Sequence, residues 1–438
     1  MSSLLPLRLM VLFVTLSLVA CNRPESATTP PHSPATATAT AAKILLQESI
    51  RPTLVELPTQ ALAAWPQDGP VTLLLFSNDP FLQPIPAELE DQALALATKG
   101  TMEELRAFGS YRRAAPRLLP FQTLQAALKS RRIAQLAWVF PNSPEEQTPD
   151  LETFRSQLVK RQALSEQEAK TLRLEQGVFR GEIQGVPFQA APLSAGQLPQ
   201  TPCQVHIDLS YFTPLYKDEV RTPVFELLRR FCADLAAAKL QADGVSLSYS
   251  TLEGLLPLDL RFLIANLATL VEAPDRLQSA LASPWKERGE ALYLATFMQT
   301  DKVLDKNLQA LAVAPDDPAI HFDLYRSYRA GKNGVKALEH LALAVRQDRG
   351  YAFEYLDLAA TARDLGKSED ALEMLELARR ALPEDPFLPL LLLEGRVAGG
   401  DKAAARILAR SLQGLPWSPV YFPGLPERLR QLAAQAEP

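Results

Sequence analysis

Histidine and cysteine are scarce in this 438-residue chain, with four of the first and three of the second. The histidines, His32, His206, His321 and His340, lie far apart, so the sequence offers little material for a histidine-based metal centre. Long blocks of one charge are missing too. Lys and Arg total 45 against 50 for Asp and Glu, and the excess of five acids is spread along the chain, which argues against a dedicated nucleic-acid binder. No phosphate-cradling Gly-x-x-x-x-Gly-Lys loop occurs, and no Gly-x-Ser-x-Gly nucleophile elbow. Gly244-Val-Ser-Leu-Ser ends in Ser248 where the elbow needs Gly. No motif requires a cofactor. At this length one ordinary core is too small, and two domains with appendages are expected.

What is present begins with an address. Residues 4–20 form an apolar run with Arg8 as its one positive charge, a signal-peptide core too short for a comfortable membrane span. It ends in Leu18-Val19-Ala20-Cys21, which resembles the lipobox of bacterial lipoproteins. That resemblance implies lipidation of Cys21 and loss of residues 1–20, and the alternative is an ordinary secretory signal. Residues 22–42 are nearly all Pro, Ala, Thr and Ser, without apolar periodicity, and are expected to be a disordered tether. In lipoprotein sorting an Asp after the lipid-bearing Cys retains the protein at the inner membrane. Asn22 stands there, so the resemblance implies the outer membrane, facing the periplasm.

The clearest pattern lies toward the other end. Leu324, Leu358 and Leu392 recur at 34 residues, as do Ala337, Ala371 and Ala405, and Leu341 and Ala344 return as Leu375 and Ala378. Gly331, Gly366 and Gly400 break the units, and Pro383 closes the middle one. A period of this length marks a helical array, and the small Ala359 and Ala371 at the hairpin contact resemble the tetratricopeptide repeat. Residues 284–438 are expected to hold these repeats, starting with a degenerate hairpin over 287–299 and 302–313. The apolar helix around Leu388 to Leu393 should be covered by the C-terminal segment, because array ends need caps. In that family the first helix of each hairpin lines a concave groove. Carried over, its inward positions are Phe322, Arg326 and Arg329, then Phe353, Leu356 and Arg363, then Phe387, Leu390 and Glu394. Arginine forks beside aromatics suit an extended acidic peptide. The competing reading is that the Phe side chains pack between units and the arginines are solvated.

Between tether and repeats, residues 43–275 alternate short β-forming runs with helical patterns, which predicts an α/β domain with a mostly parallel sheet. The expected strands are 71–76, 135–140, 204–209 and 245–250, and the helices 87–98, 101–108, 124–130, 151–159 and 224–240, with an inserted hairpin over 177–189. Ligands of open α/β sheets gather at the carboxyl ends of strands. Those ends carry Ser77-Asn78-Asp79, Pro141-Asn142, and His206-Ile207-Asp208-Leu209-Ser210. His206, Asp208 and Ser210 share one strand face, so Asn78, Asp79, His206, Asp208 and Ser210 are the candidate ligand-binding residues.

The third strand end resembles the arginase and deacetylase superfamily, whose sheet carries an Asp-x-Asp or Asp-x-His motif there. Asp208 matches the first carboxylate, Ser210 replaces its partner, and the acidic and histidine cluster of earlier strands is reduced to Asn78 and Asp79. The resemblance therefore implies a related fold with a damaged metal centre and no bound metal. Cys203 on the strand and Cys232 on the apolar face of the next helix are expected either to bridge in an oxidising compartment or to stay free in the core. The sequence thus points to a membrane-anchored, periplasm-facing lipoprotein. It would act as a non-catalytic scaffold or assembly factor that binds a protein or peptide partner and meets the membrane through its lipid. The rival is an envelope hydrolase or small-ligand-binding protein working around Asp208.

Overall fold

Near-continuous apolar runs on the central strands bury both faces of one sheet, and that pattern sets the architecture. The computed structural model describes residues 42–143, 147–251, 254 and 256–437. Cys21, its lipobox and almost all of the tether lie outside the described residues.

Among the described residues nine strands make the sheet: β1 Lys43–Ile44, β2 Thr53–Val55, β3 Val71–Phe76, β4 Ile133–Val139, β5 Arg173–Glu175, β6 Val178–Ile183, β7 Val186–Ala191, β8 Cys203–Asp208 and β9 Gln241–Ser248. Their order is β1-β9-β8-β3-β4-β7-β6-β5, and β2 pairs with the later part of β9. The strands β2, β9, β8, β3, β4 and β7 run parallel. The expected hairpin is there, but it is not an insertion beside the sheet. β7 pairs in parallel with β4 and carries β6 and β5 antiparallel as the sheet edge.

Alternation on β3 sends Leu74 and Phe76 to one core and Leu73 and Leu75 to the other. The helices of this region are α1 Pro58–Ala61, α2 Glu90–Lys99, α3 Met102–Phe108, α4 Thr123–Lys129, α5 Leu151–Lys160, α6 Glu166–Thr171, α7 Val224–Ala237 and α8 Leu263–Glu272. Helix starts follow local chemistry. The side chain of Thr101 accepts from Glu104 N while the Glu104 carboxylate reaches back to Thr101, a reciprocal cap; Ser165 and Glu168 repeat the device at α6.

A run of consecutive packed helices follows: α9 Trp285–Thr296, α10 Thr300–Val313, α11 Pro318–Ala330, α12 Gly334–Gln347, α13 Phe353–Asp364, α14 Ser368–Ala381, α15 Phe387–Ala398, α16 Lys402–Gln413 and α17 Leu425–Gln435. The architecture is α/β followed by helical repeats. The recurring Ala337, Leu341 and Ala344 on α12, and Ala371, Leu375 and Ala378 on α14, are buried, which is the physical origin of the 34-residue period. Leu390 and Leu393 of α15 are covered by Leu412 of α16 and Leu429 of α17, with Trp417 and Phe422 closing around Phe387.

The stretch joining the two regions is not a loose linker. Leu277 is buried and its carbonyl accepts from Arg229 at 2.8 Å, and Phe225 of α7 stacks on Trp285 of α9. One apolar core runs from Val205 in the sheet through Phe322 and Tyr351 to Leu388 in the helices.

Candidate functional site

The chain leaves β3 for β4 and β7 on one side and returns to β8 and β9 on the other, so strand order reverses between β3 and β8. In sheets of this kind the crevice outside the carboxyl ends at the reversal is where ligands bind. The structure brings the sequence-predicted residues together there. Asn78 N donates to Ser210 Oγ at 3.3 Å, and Ser210 N donates to Asp208 Oδ1 at 2.9 Å. Asp79 folds back so that its Oδ1 accepts from Phe81 N at 2.7 Å. His206 lies on the same face of β8 as Asp208.

The parallel register of β8 with β9 sets His206 opposite Ser246 and Asp208 opposite Ser248. His206 Nδ1 is 2.9 Å from Ser246 Oγ and its Nε2 is 3.2 Å from Ser248 Oγ. The hydroxyls of Ser248 and Ser250 both donate to Asp208 Oδ2. Because Ser248 gives its proton to Asp208, it can only accept from His206, which assigns the histidine proton to Nε2. The result is a chain of hydroxyl, imidazole, hydroxyl and carboxylate.

His206 is 2% exposed, and Asp208, Ser248 and Ser250 are fully buried. Burial pushes the His206 pKa down to about 3, so the ring is neutral. It raises the Asp208 carboxyl above its ordinary range, against the lowering effect of the serine hydrogen bonds. Asp79 is raised by burial as well, partly offset by the Phe81 amide and Arg161. The polar atoms are used up internally, and Ser210 contributes its backbone N–H to the cage around Asp208. No group of three or more His, Cys, Asp or Glu able to hold a metal occurs among the described residues. Sequence reasoning missed Ser246, Ser248 and Ser250. The signal was their period of two through Val245-Ser-Leu-Ser-Tyr-Ser250, a polar face alternating with a buried apolar one.

The expected groove residues meet a different environment. Phe322 is 2% exposed and packs between Tyr325 and Tyr351. Phe387 sits against Trp417 and Phe422, and Phe353 is half-buried under the Arg112 guanidinium at 4.8 Å. Phe322 and Phe387 pack inside the helical array, and Phe353 alone of the three lines an open cleft. Arg326 pairs with Asp259 of the α/β region at 3.1 Å, and Arg329 Nη1 donates to Glu354 Oε1 at 3.0 Å and to the Tyr325 hydroxyl at 2.8 Å. Arg363 is largely exposed, and among the described residues its ion-pair partner is Asp364, at 3.9 Å. The three arginines therefore do not converge on one waiting surface. Cys203 and Cys232 are both buried free thiols, with pKa values pushed up by burial to about 12. Core packing, not a bridge, holds them.

An open space of ligand size lies where the α/β region meets the helical run. A cleft of about 520 Å³ is bounded by β2, α3 and the end of β9 on one side and by the α12–α13 turn and the α14–α15 turn on the other. Arg261 fixes its base. Its Nε and Nη2 donate to Asp348 at 2.6 and 2.9 Å, its Nη1 and Nη2 donate to Glu56 at 2.9 and 2.8 Å, and Nη1 also reaches Thr251. The guanidinium lies over Tyr249 at 3.8 Å. Arg112 donates to Asp385 at 2.6 Å, and Arg113 donates to the Glu384 carbonyl at 2.9 Å. Gly350 is needed here, since a Cβ would come within 2.2 Å of the Arg261 guanidinium carbon.

No protein-family model matches the chain, and no curated protein matches it. The class that fold and site define is therefore an α/β sheet joined through ion pairs to a helical-repeat array, with a closed polar cluster at the sheet's reversal point and an open cleft at the joint.

Proposed function

We propose that this chain is a lipid-anchored lipoprotein of the bacterial envelope, facing the periplasm, that works by binding a protein or peptide partner and not by catalysis. One observation carries the reading. The paired strand-end residues His206 and Asp208 are buried and satisfied by Ser246, Ser248, Ser250 and the Ser210 amide, whereas the cleft shared by sheet and helices is accessible and of ligand size. The helices then act as a scaffold whose groove side is partly occupied by the chain's own α/β region. The lipid on Cys21 supplies the membrane attachment, at about 0.8 kcal/mol per buried methylene.

The experiment compares wild type, Cys21→Ser and Asp208→Asn for fatty-acid labelling, membrane fractionation and partner recovery from envelope membranes. The reading expects Cys21→Ser to lose label and membrane attachment, and Asp208→Asn to keep both and recover the same partner. Continued labelling of Cys21→Ser, or a hydrolytic activity of the wild type that Asp208→Asn removes, would overturn it.

A second reading, an envelope hydrolase or small-ligand site at Asp208, has one observation in its favour. Ser250, which donates to Asp208, sits in the left-handed region at φ 54° beside the strand reversal, the kind of local strain that clusters at working sites.

A further inference from the structure

The cleft at the joint has used its acceptors but not all of its donors. Each carboxylate that lines it already faces a guanidinium: Glu56 and Asp348 face Arg261, Asp385 faces Arg112, and Glu384 faces Arg349 at 2.8 Å. The donors are unevenly engaged. Arg261 is 3% exposed and fully engaged, but Arg349 gives Glu384 one nitrogen and its side chain stays 53% exposed. Arg106, on α3 at the opposite wall, is exposed and has no ion-pair partner among the described residues. A site with spare guanidinium donors and occupied carboxylates selects an acceptor. The forks already filled in this cleft hold carboxylates, the planar group that Arg matches with two parallel hydrogen bonds.

Two further features give the acceptor a body. Leu54 of β2 stands 45% exposed on the cleft wall, and Met102 and Phe353 line the same cleft, which offers apolar surface as well as unused cations. β2 itself pairs only with β9, which leaves its outer edge without a strand among the described residues. An open edge offers backbone N–H and C=O groups to an extended chain. The volume lies inside the range of about 300–1,000 Å³ typical of ligand sites.

We propose that the cleft binds an extended peptide segment in which acidic and apolar residues alternate. Its backbone lies along β2, its apolar side chains rest on Leu54 and Met102, and its carboxylates reach Arg106 and Arg349. This rests on the binding reading above and names the chemistry of the partner. The arginines on the helices at 326, 329 and 363 are not among the residues that line this cleft, which separates them from Arg106 and Arg349.

The test titrates detergent-solubilised full-length protein by calorimetry with capped Glu-Leu-Glu-Leu, capped Gln-Leu-Gln-Leu and citrate. Glu-Leu-Glu-Leu should bind, weaken tenfold or more in Arg106→Ala and in Arg349→Ala, weaken with added salt, and be unaffected by Arg363→Ala. Both cleft substitutions fall on exposed side chains, and unchanged melting profiles confirm that they fold. The proposal is overturned if Gln-Leu-Gln-Leu binds equally well, if neither arginine variant weakens binding, or if no probe binds. Citrate binding as tightly as the acidic peptide overturns the peptide assignment in favour of a free polycarboxylate. The titration requires neither anchor nor native partner. A null result with partner recovery intact therefore removes this proposal alone, and loss of partner recovery with the titration intact removes the broader reading.

Discussion

Removing Arg261 should loosen the whole joint between sheet and helices. Its side chain is 3% exposed, bridges Glu56 from the segment after β2 to Asp348 before α13, and lies on Tyr249. Truncation of one partner of a buried ion pair typically costs about 3–5 kcal/mol, because the remaining charges are left uncompensated. Here Glu56 and Asp348 keep 23% and 19% exposure, so water partly rehydrates them and the lower end, about 3 kcal/mol, is expected for Arg261→Ala. Scaling the average unfolding entropy per residue to a unit spanning residues 41–438 converts this to a fall of about 4 °C in Tm. Gly350→Ala should act through the same guanidinium, since its Cβ would displace Arg261. The two substitutions together should then cost clearly less than their sum. Urea unfolding followed by tryptophan fluorescence and by circular dichroism reads both quantities. A loss below about 1 kcal/mol for Arg261→Ala, or strict additivity with Gly350→Ala, would refute the idea that this arginine fixes the joint.

Other outcomes follow from the strand-end cluster. Because burial holds the His206 pKa near 3 in the fold against an ordinary 6.5, the neutral ring's contribution is fully present above pH 6.5 and is lost as pH falls from there toward 3. Proton NMR of the imidazole should show no titration between pH 5 and 8. Asp208, with its pKa raised, contributes the opposite sign: stability present at low pH that is lost as pH rises through its folded value. Asp208→Asn sets an amide NH2 against one of the donors that the carboxylate accepts from and should cost about 1–2 kcal/mol, while Asp208→Ala leaves the Ser210 N–H and the Ser248 and Ser250 hydroxyls without their acceptor and should cost about 3 kcal/mol in urea unfolding. At the joint of α7 and α9, Trp285→Ala removes the ring stacked on Phe225 and should cost about 3 kcal/mol by the same measurement.

The fold was legible where one periodicity dominated. The 34-residue recurrence of Ala and Leu marks the inter-helix contacts directly, and the apolar run Val71–Phe76 matches β3 residue for residue. Short elements escaped notice. β1, β2 and β5 have only two or three residues, and their pairing is decided by the neighbouring strand and not by local pattern. At the strand ends, Asp208 and Asn78 were visible because polar residues interrupt apolar runs, but the hydroxyls that Asp208 accepts from, Ser248 on the neighbouring β9 and Ser250 just beyond it, lie about forty positions away. The cleft was hidden for the same reason. Arg261, Glu56 and Asp348 are ordinary charges in the sequence, and only the docking of the helices on the sheet makes them one cluster. The groove arginines illustrate the converse, since spacing placed them on helix faces without showing that the α/β region already supplies partners such as Asp259.

The most direct test of binding at the joint is site-specific photo-cross-linking in intact envelopes, with benzoylphenylalanine at Met102 in the cleft and, separately, at Arg363 on the open face of α13. The account predicts one discrete adduct from position 102 that is lost when Arg106 and Arg349 are replaced by Ala, and no such adduct from position 363. Adducts from position 363 alone, or an adduct at 102 that persists in the double variant, would contradict it.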